Sequence, residues 1–201
     1  MAAIREGDVE VTVPDTVPAE FIEPEKKARV KAAPIWAFLR IGLGWTFLWA
    51  FLDKAFALGF ATGRNPETGA IDFFGDAAWI NGGSPTSGYL EFGTTGPFAE
   101  FFQGLAGHAW IDWVYMVSML LIGTALILGI GVRLAAVGGV AWMAMFYLSG
   151  AIWPENNPFL DDHVIYAAVL VGLAWVGAGR YLGLGRWWES TALVRRFPVL
   201  K

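Results

Sequence analysis

Four stretches of the chain are apolar over lengths of about 20 residues, which is what a helix needs to cross a membrane. They cover residues 34–58, 113–131, 134–153 and 161–182, and polar or turn-forming segments separate them. Pro34 suits a first helical turn, where a missing N–H costs nothing. The pattern predicts an all-α membrane protein, a four-transmembrane-helix bundle.

The connection between the first two predicted spans, roughly residues 60–112, is far longer than a tight helix hairpin requires. Its first half is rich in Gly, Thr, Asn and Pro, which favour turns. Its second half has Pro97 at a helix-start position, followed by aromatic residues at helical spacing. We predict a short amphipathic helix from Pro97 to Trp110, lying along the outer membrane interface.

Both ends of the chain differ from the apolar middle. Residues 1–33 begin with acidic character, contain three prolines and have no apolar run long enough for a signal peptide. They predict a flexible cytoplasmic tail. Residues 34–189 form the predicted membrane domain. Residues 190–201 include Arg195 and Arg196, which favour the headgroups at a cytoplasmic membrane surface.

The basic residues predict the orientation, because Lys and Arg near span ends are held on the cytoplasmic side. Five of them precede the first span, five lie at or after the end of the fourth, and Arg133 lies between the second and third. Arg64 alone lies in an outer connection. Both termini are therefore expected in the cytoplasm.

The composition favours a lipid environment. Apolar residues make up 56% of the chain and charged residues 16%, against about 25% charged in a typical globular protein. Eleven tryptophans suit the membrane interface. The lack of cysteine excludes disulfides, thiolate nucleophiles and Cys-ligated metal or iron–sulfur sites. A net charge of −4 argues against nucleic acid as a partner.

Two cations lie inside the first predicted span. Their position needs a physical explanation, because a charge near mid-membrane costs about 2.5 to 3.5 kcal/mol. Arg40 comes roughly 9 Å into the helix, and Lys54 lies near its outer end. At about 100° per residue they share one stripe with Gly44, Phe47 and Phe51, which we expect to face the bundle interior. The alternative is that both side chains snorkel to the headgroups at opposite surfaces.

A second polar group, Asp161, Asp162 and His163, lies at the start of the fourth span. An aspartate there can cap the helix and meet its dipole. His163 either hydrogen-bonds a ligand oxygen, such as a quinone carbonyl, or is satisfied by the capping aspartate. The other histidine, His108, shares a helical face with Asp112 and is a candidate for an outer polar site. Neither histidine lies in an HxxxH or ExxH pair, so we predict no metal site.

Two motifs resemble the DoxX family of small four-helix bacterial membrane proteins, which is related to the DoxD subunit of thiosulfate:quinone oxidoreductase. They are LRIGLGWTFLWAFLDKAF in the first span and NNPFLDDHVIYAAVLVGLAWVGAGRYLGLGRWWE near the end. The resemblance covers roughly residues 35–189. The family pattern has Gly three residues before the lysine, where this chain has Phe51. The resemblance implies a place in the bacterial inner membrane and a link to quinone or sulfur redox chemistry.

The leading hypothesis is therefore a membrane subunit associated with quinone-linked electron transfer. It binds a menaquinone-type quinone beside the first helix, with Arg40, Lys54 and His163 as polar contacts. Trp45 and Trp49 are ring-stacking surfaces in this hypothesis, and simple packing residues otherwise. No catalytic residue is identified, and the expected partners are the lipid bilayer and other membrane or soluble redox subunits.

Two other functions are compatible with the sequence. One is a non-catalytic accessory or anchoring subunit of a larger respiratory or oxidoreductase complex, with the acidic tail and the long outer loop as its contact surfaces. The other is a small transporter, which the lack of carboxylates near mid-membrane disfavours.

Overall fold

The computed structural model describes residues 19–155 and 157–201, and in these ranges the regular structure is helical, without a β-strand. The α-helices are α1 (Ala19–Phe56), α2 (Ala99–Gln103), α3 (Ala109–Leu128), α4 (Val132–Phe146), α5 (Asp162–Val176), α6 (Gly185–Ser190) and α7 (Ala192–Arg196). The chain divides into two units between Ala33 and Pro34, and the second unit begins at Pro34.

Within the described residues, three helices are long and apolar enough to cross a membrane: Lys31–Phe56, Ala109–Leu128 and Val132–Gly150. Three of the four predicted spans are thereby confirmed as apolar helices of spanning length. The fourth is shorter than the predicted 161–182, because α5 has 15 residues, or about 22 Å at 1.5 Å per residue. Gly177 ends it with φ +64°, the left-handed conformation that terminates helices.

The first helix starts earlier than expected, at Ala19 within the predicted tail rather than at Pro34. Residues 19–33 are rich in Glu, Lys, Arg and Ala. Their high helix propensity outweighs the prolines that predicted an extended chain. Pro34 lies inside α1, where it removes one backbone hydrogen bond. The remainder of the predicted flexible tail, residues 1–18, lies outside the described residues.

Glycines let the helices of the second unit approach one another closely. A Cβ on Gly123 of α3 would lie 2.5 Å from the backbone nitrogen of Leu48 in α1. A Cβ on Gly139 of α4 would lie 2.7 Å from Leu170 of α5. Such contacts carry helix association in lipid, where apolar burial alone gives no driving force. The core between α1, α3, α4 and α5 includes the buried side chains of Phe47, Met116, Met119, Leu126, Met143, Leu170 and Leu173.

Two buried aspartates fasten the segment between α1 and α3, which we call the outer segment (residues 57–108). Asp53 is 2% exposed and accepts hydrogen bonds from the backbone N–H groups of Phe60 (3.1 Å) and Ala61 (2.9 Å). Asp112, in the first turn of α3, accepts a hydrogen bond from the hydroxyl of Thr86 (2.6 Å). Each carboxylate therefore ties the outer segment to the end of one long helix.

The predicted interfacial helix from Pro97 to Trp110 is broken into shorter pieces. The five residues of α2 end at Gln103, and Trp110 belongs to α3. Gly107 lies between them with φ +77°, a conformation that a continuous α-helix does not contain. The aromatic spacing fits a helix, but the glycine-containing GLAG turn interrupts it.

The C-terminal segment is held on the start of α4. It folds as α6 and α7, and the hydroxyl of Thr191 caps α7. The indole N–H of Trp188 donates to the carbonyl of Leu200 (2.6 Å). The backbone N–H of Arg133 donates to the carbonyl of Lys201 (3.0 Å). These bonds give the last residues a fixed position in the second unit.

Candidate ligand cavity

Arg40 of α1 is fully buried and is bonded to the backbone of two other segments. Its Nη1 donates to the carbonyls of Leu126 and Ile127 (2.8 Å to Ile127), in the last turn of α3. Its Nη2 donates to the carbonyls of Tyr181 (3.0 Å) and Leu182 (2.9 Å), in the segment after α5. Carbonyls at a helix C-terminus lack intrahelical partners and carry partial negative charge. The guanidinium satisfies them and is stabilised by them.

Three glycines make room for this guanidinium. Cβ atoms on Gly129 and Gly183 would each lie 3.0 Å from one of its terminal nitrogens. A Cβ on Gly179 would lie 2.4 Å from the carbonyl oxygen of Gly129. Gly129 also ends α3 with φ +74°, which favours glycine. Arg40 therefore faces the bundle interior, as the stripe predicts, in a closely packed cradle of backbone.

A cavity of about 530 Å³ lies between the outer segment, the C-terminal ends of α1 and α4, and the N-terminal end of α3. Its volume falls within the range of about 300–1,000 Å³ that small-molecule sites occupy. Aromatic side chains dominate the wall: Tyr89, Phe101, Phe102, Trp110, Tyr115, Trp142 and Phe146.

Lys54 is the single cation among the described residues of this wall. It lies in the last turn of α1. In the part of the chain that the structure describes, no carboxylate forms an ion pair with its ammonium. The adjacent carboxylate, Asp53, is engaged by backbone N–H groups instead. An ammonium in apolar surroundings is costly unless an acceptor meets it, so Lys54 is well placed to bind an oxygen of a ligand.

The mouth of the cavity is marked by lining residues that are exposed. Trp110 and Val114 of α3 are 59% and 53% exposed, and Met145 of α4 is 39% exposed. All three lie on helices that are long and apolar enough to cross a membrane. A lipid-soluble ligand can therefore reach the cavity sideways between α3 and α4. A second opening lies in the outer segment, where the lining residues Phe101 (63%) and Tyr89 (39%) are also exposed.

Other polar groups of the wall bond one another. The hydroxyls of Tyr89 and Ser149 lie 2.7 Å apart. This contact joins two single-turn π-helices, Tyr89–Gly93 and Tyr147–Ala151. Such turns are frequent at functional sites, because they re-aim side chains within a helix. Here they bring the outer segment against the end of α4.

His163 is paired with the aspartate that caps α5. Its Nδ1 lies 2.6 Å from a carboxylate oxygen of Asp161, and the other oxygen of Asp161 accepts from the N–H of Val164 (3.1 Å). The His163 ring lies 5.7 Å from the ring of Phe146, which lines the cavity. His163 itself is outside the described wall. Asp162, the next residue along the chain, completes a group of three potential metal ligands within 4.8 Å of one another. In this group Asp161 is engaged by the N-terminus of α5 and by His163.

The remaining candidate residues lie away from the wall. Trp45 and Trp49 stack on each other at 5.5 Å, and Trp49 packs on Phe60 at 5.0 Å. Neither tryptophan is among the described lining residues. His108 is exposed at the start of α3, without a side-chain capping bond. Of the residues predicted to contact a quinone, Lys54 is therefore the one among the described lining residues of this cavity.

Sequence reasoning missed the aromatic wall, because its members come from separate elements. One contact within the wall could have been predicted from the sequence. In two antiparallel helices joined by a turn, residues that are a similar number of positions from the turn lie at the same level. Gly129 and Gly131 mark the turn between α3 and α4. Tyr115 and Trp142 lie on opposite sides of that turn, and their rings meet edge to face at 5.3 Å.

Over residues 19–155 and 157–201, the fold and the cavity define an all-helical protein with three helices long and apolar enough to cross a membrane and an apolar, aromatic cavity of the size of small-molecule sites. No protein-family model, curated protein or solved structure matches the chain.

Proposed function

We propose that this chain is a DoxX-like subunit of the bacterial inner membrane that binds a menaquinone-type quinone in the cavity beside Lys54. A bound quinone would supply two-electron, two-proton redox chemistry, with a partner redox subunit as electron donor and the aqueous phase as proton source. The carrying observation is the ammonium of Lys54, the one cation among the described lining residues of an apolar, aromatic cavity of about 530 Å³, with which no carboxylate of the described residues pairs. A quinone ring is apolar apart from its carbonyl oxygens, so one ammonium and several aromatic faces match its chemistry.

In this proposal Lys54 donates a hydrogen bond to a quinone carbonyl. An ammonium is a donor without an acceptor lone pair, and a charge-assisted hydrogen bond is about twice as strong as a neutral one. The same positive charge favours the reduced oxygen, which carries more negative charge. Lys54 thereby both orients the ring and makes the bound quinone easier to reduce.

Arg40 and His163 take indirect parts in the proposal. The carbonyl bonds of Arg40 hold α1 against the last turn of α3, which fixes the helix that carries Lys54. The His163 ring lies against the ring of Phe146, whose side chain lines the cavity. Trp45 and Trp49, with Trp45 51% exposed, are assigned to lipid and to packing.

We further propose four membrane spans with both termini in the cytoplasm. The fourth combines α5 with the residues that follow it to about residue 182. The face of α5 turned away from the core is apolar, with Ile165 at 50%, Val171 at 52% and Trp175 at 88% exposure. Exposed apolar side chains on a helix packed against α4 suit lipid as the surrounding solvent. Insertion of single reporter tags at each terminus, with protease accessibility in inverted vesicles, tests the orientation.

The test of function is purification of the full chain from its native membrane in mild detergent, followed by mass spectrometry of extracted lipids and co-purifying proteins. We expect stoichiometric quinone with the wild type and its loss with Lys54→Met. Arg133→Met is the matched control, because Arg133 is an exposed cation outside this cavity. Redox subunits at fixed stoichiometry, with no quinone specific to this chain, would instead identify a non-catalytic accessory subunit.

A further inference from the structure

The cavity wall contains a second polar group without a partner, the hydroxyl of Tyr115. Tyr115 is 7% exposed and lines the cavity. Among the described residues, no hydrogen bond engages its hydroxyl. The hydroxyl is not a fully buried atom, since among these residues the fully buried side-chain N or O atom without a partner is Arg40 Nε. It is therefore open to the cavity and available to a ligand, as the ammonium of Lys54 is.

The neighbouring polar side chains of the wall are already engaged. The hydroxyl of Thr86 donates to Asp112 (2.6 Å), and the hydroxyls of Tyr89 and Ser149 lie 2.7 Å apart. The indole N–H of Trp142 donates to the hydroxyl of Ser118 (2.7 Å). Trp110 has a further indole N–H, but it stands at the exposed mouth. Lys54 and Tyr115 are thus the inner polar groups that a ligand can engage.

The ring of Tyr115 is held in one orientation. It meets Trp142 edge to face, with ring centroids 5.3 Å apart and planes at 90°. Ser118, which accepts from Trp142, donates in turn to the backbone carbonyl of Tyr115 (2.8 Å). A group held in this way needs little reordering when a ligand binds, which favours affinity.

We infer that Tyr115 is a ligand-binding, specificity-determining residue, which donates a hydrogen bond to an oxygen of the same ring-containing lipid that Lys54 engages. The inference rests on the proposed quinone site and adds the residue that distinguishes oxygen-bearing rings from plain hydrocarbons. Lys54 supplies charge, and Tyr115 supplies a neutral, directional donor. Removing only the Tyr115 hydroxyl leaves the apolar wall intact.

The experiment measures binding to the full chain in detergent with two probes of similar shape. One is a menaquinone with a single isoprenyl unit, and the other is 2-methylnaphthalene, which has the fused ring without oxygen. Tyr115→Phe is compared with wild type, with Lys54→Met and with Tyr166→Phe, whose tyrosine is 38% exposed on α5 and outside the cavity wall. Tyr115→Phe removes no hydrogen bond of the described residues, so folding is expected to be unchanged.

We expect Tyr115→Phe to weaken binding of the quinone about tenfold, in line with one hydrogen bond. Binding of the hydrocarbon should stay the same, and Tyr166→Phe should match wild type with both probes. Equal weakening of both probes, or of neither, would overturn the role of Tyr115 even if Lys54→Met weakens quinone binding. Failure of the wild type to bind the quinone would overturn the proposed function and this inference together.

Discussion

Arg40 and Lys54, the two cations of the apolar part of α1 after Pro34, lie on one stripe of the helix, yet the structure gives them opposite surroundings. Arg40 is fully buried and donates to four backbone carbonyls. Lys54 lines a cavity, and no carboxylate of the described residues pairs with it. The other segments make the difference, because glycine-rich turns deliver carbonyls to Arg40 while aromatic side chains surround Lys54.

The residue types suit these two environments. A guanidinium offers five donors in a fixed planar fork, so it can satisfy several carbonyls at once. In lipid each unsatisfied backbone carbonyl costs several kcal/mol, and Arg40 therefore stabilises the helix end that it meets. An ammonium is a compact donor on a flexible stem. Left unpaired beside a cavity, it favours a ligand rather than a structural role.

Arg40→Met should give the largest effect on stability. It leaves the carbonyls of Leu126, Ile127, Tyr181 and Leu182 without this donor. Since an unsatisfied buried acceptor costs about 1–3 kcal/mol, we expect the free energy of unfolding to fall by about 3 kcal/mol or more. Denaturant titration in mixed micelles, followed by tryptophan fluorescence, measures it.

Two further variants sharpen this prediction. Arg40→Lys keeps the charge but not the fork, and should recover only part of the loss. Arg133→Met removes an exposed arginine and should change the free energy of unfolding by less than about 0.5 kcal/mol. If Arg40→Met lowered the free energy of unfolding no more than Arg133→Met does, the hydrogen bonds from Arg40 to the four backbone carbonyls would not contribute to stability.

Gly179→Ala tests the backbone cradle of Arg40 without touching its charge. The new Cβ would lie 2.4 Å from the carbonyl oxygen of Gly129, and overpacking of this kind costs about 1–3 kcal/mol. Gly42→Ala is the matched control, since nothing lies within 4 Å of its added Cβ. It should be neutral or slightly stabilising in the same titration. Equal effects of the two substitutions would contradict the close approach.

Hydrophobic patterning predicted the helices that could cross a membrane, but not all of their ends. Periodicity and length are local properties, so they locate the apolar helices near residues 34–58, 113–131 and 134–153. The ends depend on single glycines: Gly177 stops α5 early, and Gly107 divides the predicted helix from Pro97 to Trp110.

The site was less predictable than the fold, for a related reason. The stripe correctly placed Arg40 and Lys54 toward the interior, because 100° spacing follows from helix geometry. It did not distinguish them, since the carbonyls that meet Arg40 come from residues far along the chain, at Leu126 and Tyr181. Tyr115 carries no recognisable signal in the sequence, because the lack of a partner for its hydroxyl among the described residues is a property of the packed structure alone.

Lys54→Met should weaken ligand binding without lowering stability, whereas Arg40→Met should lower stability. It replaces an unpaired cation with an apolar side chain in a largely apolar wall, so we expect the free energy of unfolding to stay within about 1 kcal/mol or to rise. Quinone binding should weaken about tenfold or more, as the loss of one charge-assisted hydrogen bond implies. A stability loss as large as that of Arg40→Met would show that Lys54 is structural, and would remove the contrast between the two cations.

The smallest effect is expected at a third cation, which is paired but exposed. Arg180 binds both carboxylate oxygens of Glu189, with its Nη2 2.8 Å from Oε2, and its side chain is 51% exposed. High salt should weaken this pair, because exposed ion pairs are worth about 0.2–1 kcal/mol and are screened. Arg180→Gln should therefore lower the free energy of unfolding by less than about 1 kcal/mol at low salt and by less still at high salt. A salt-independent loss as large as that of Arg40→Met would mean that pairing, rather than burial against carbonyls, determines what a cation contributes here.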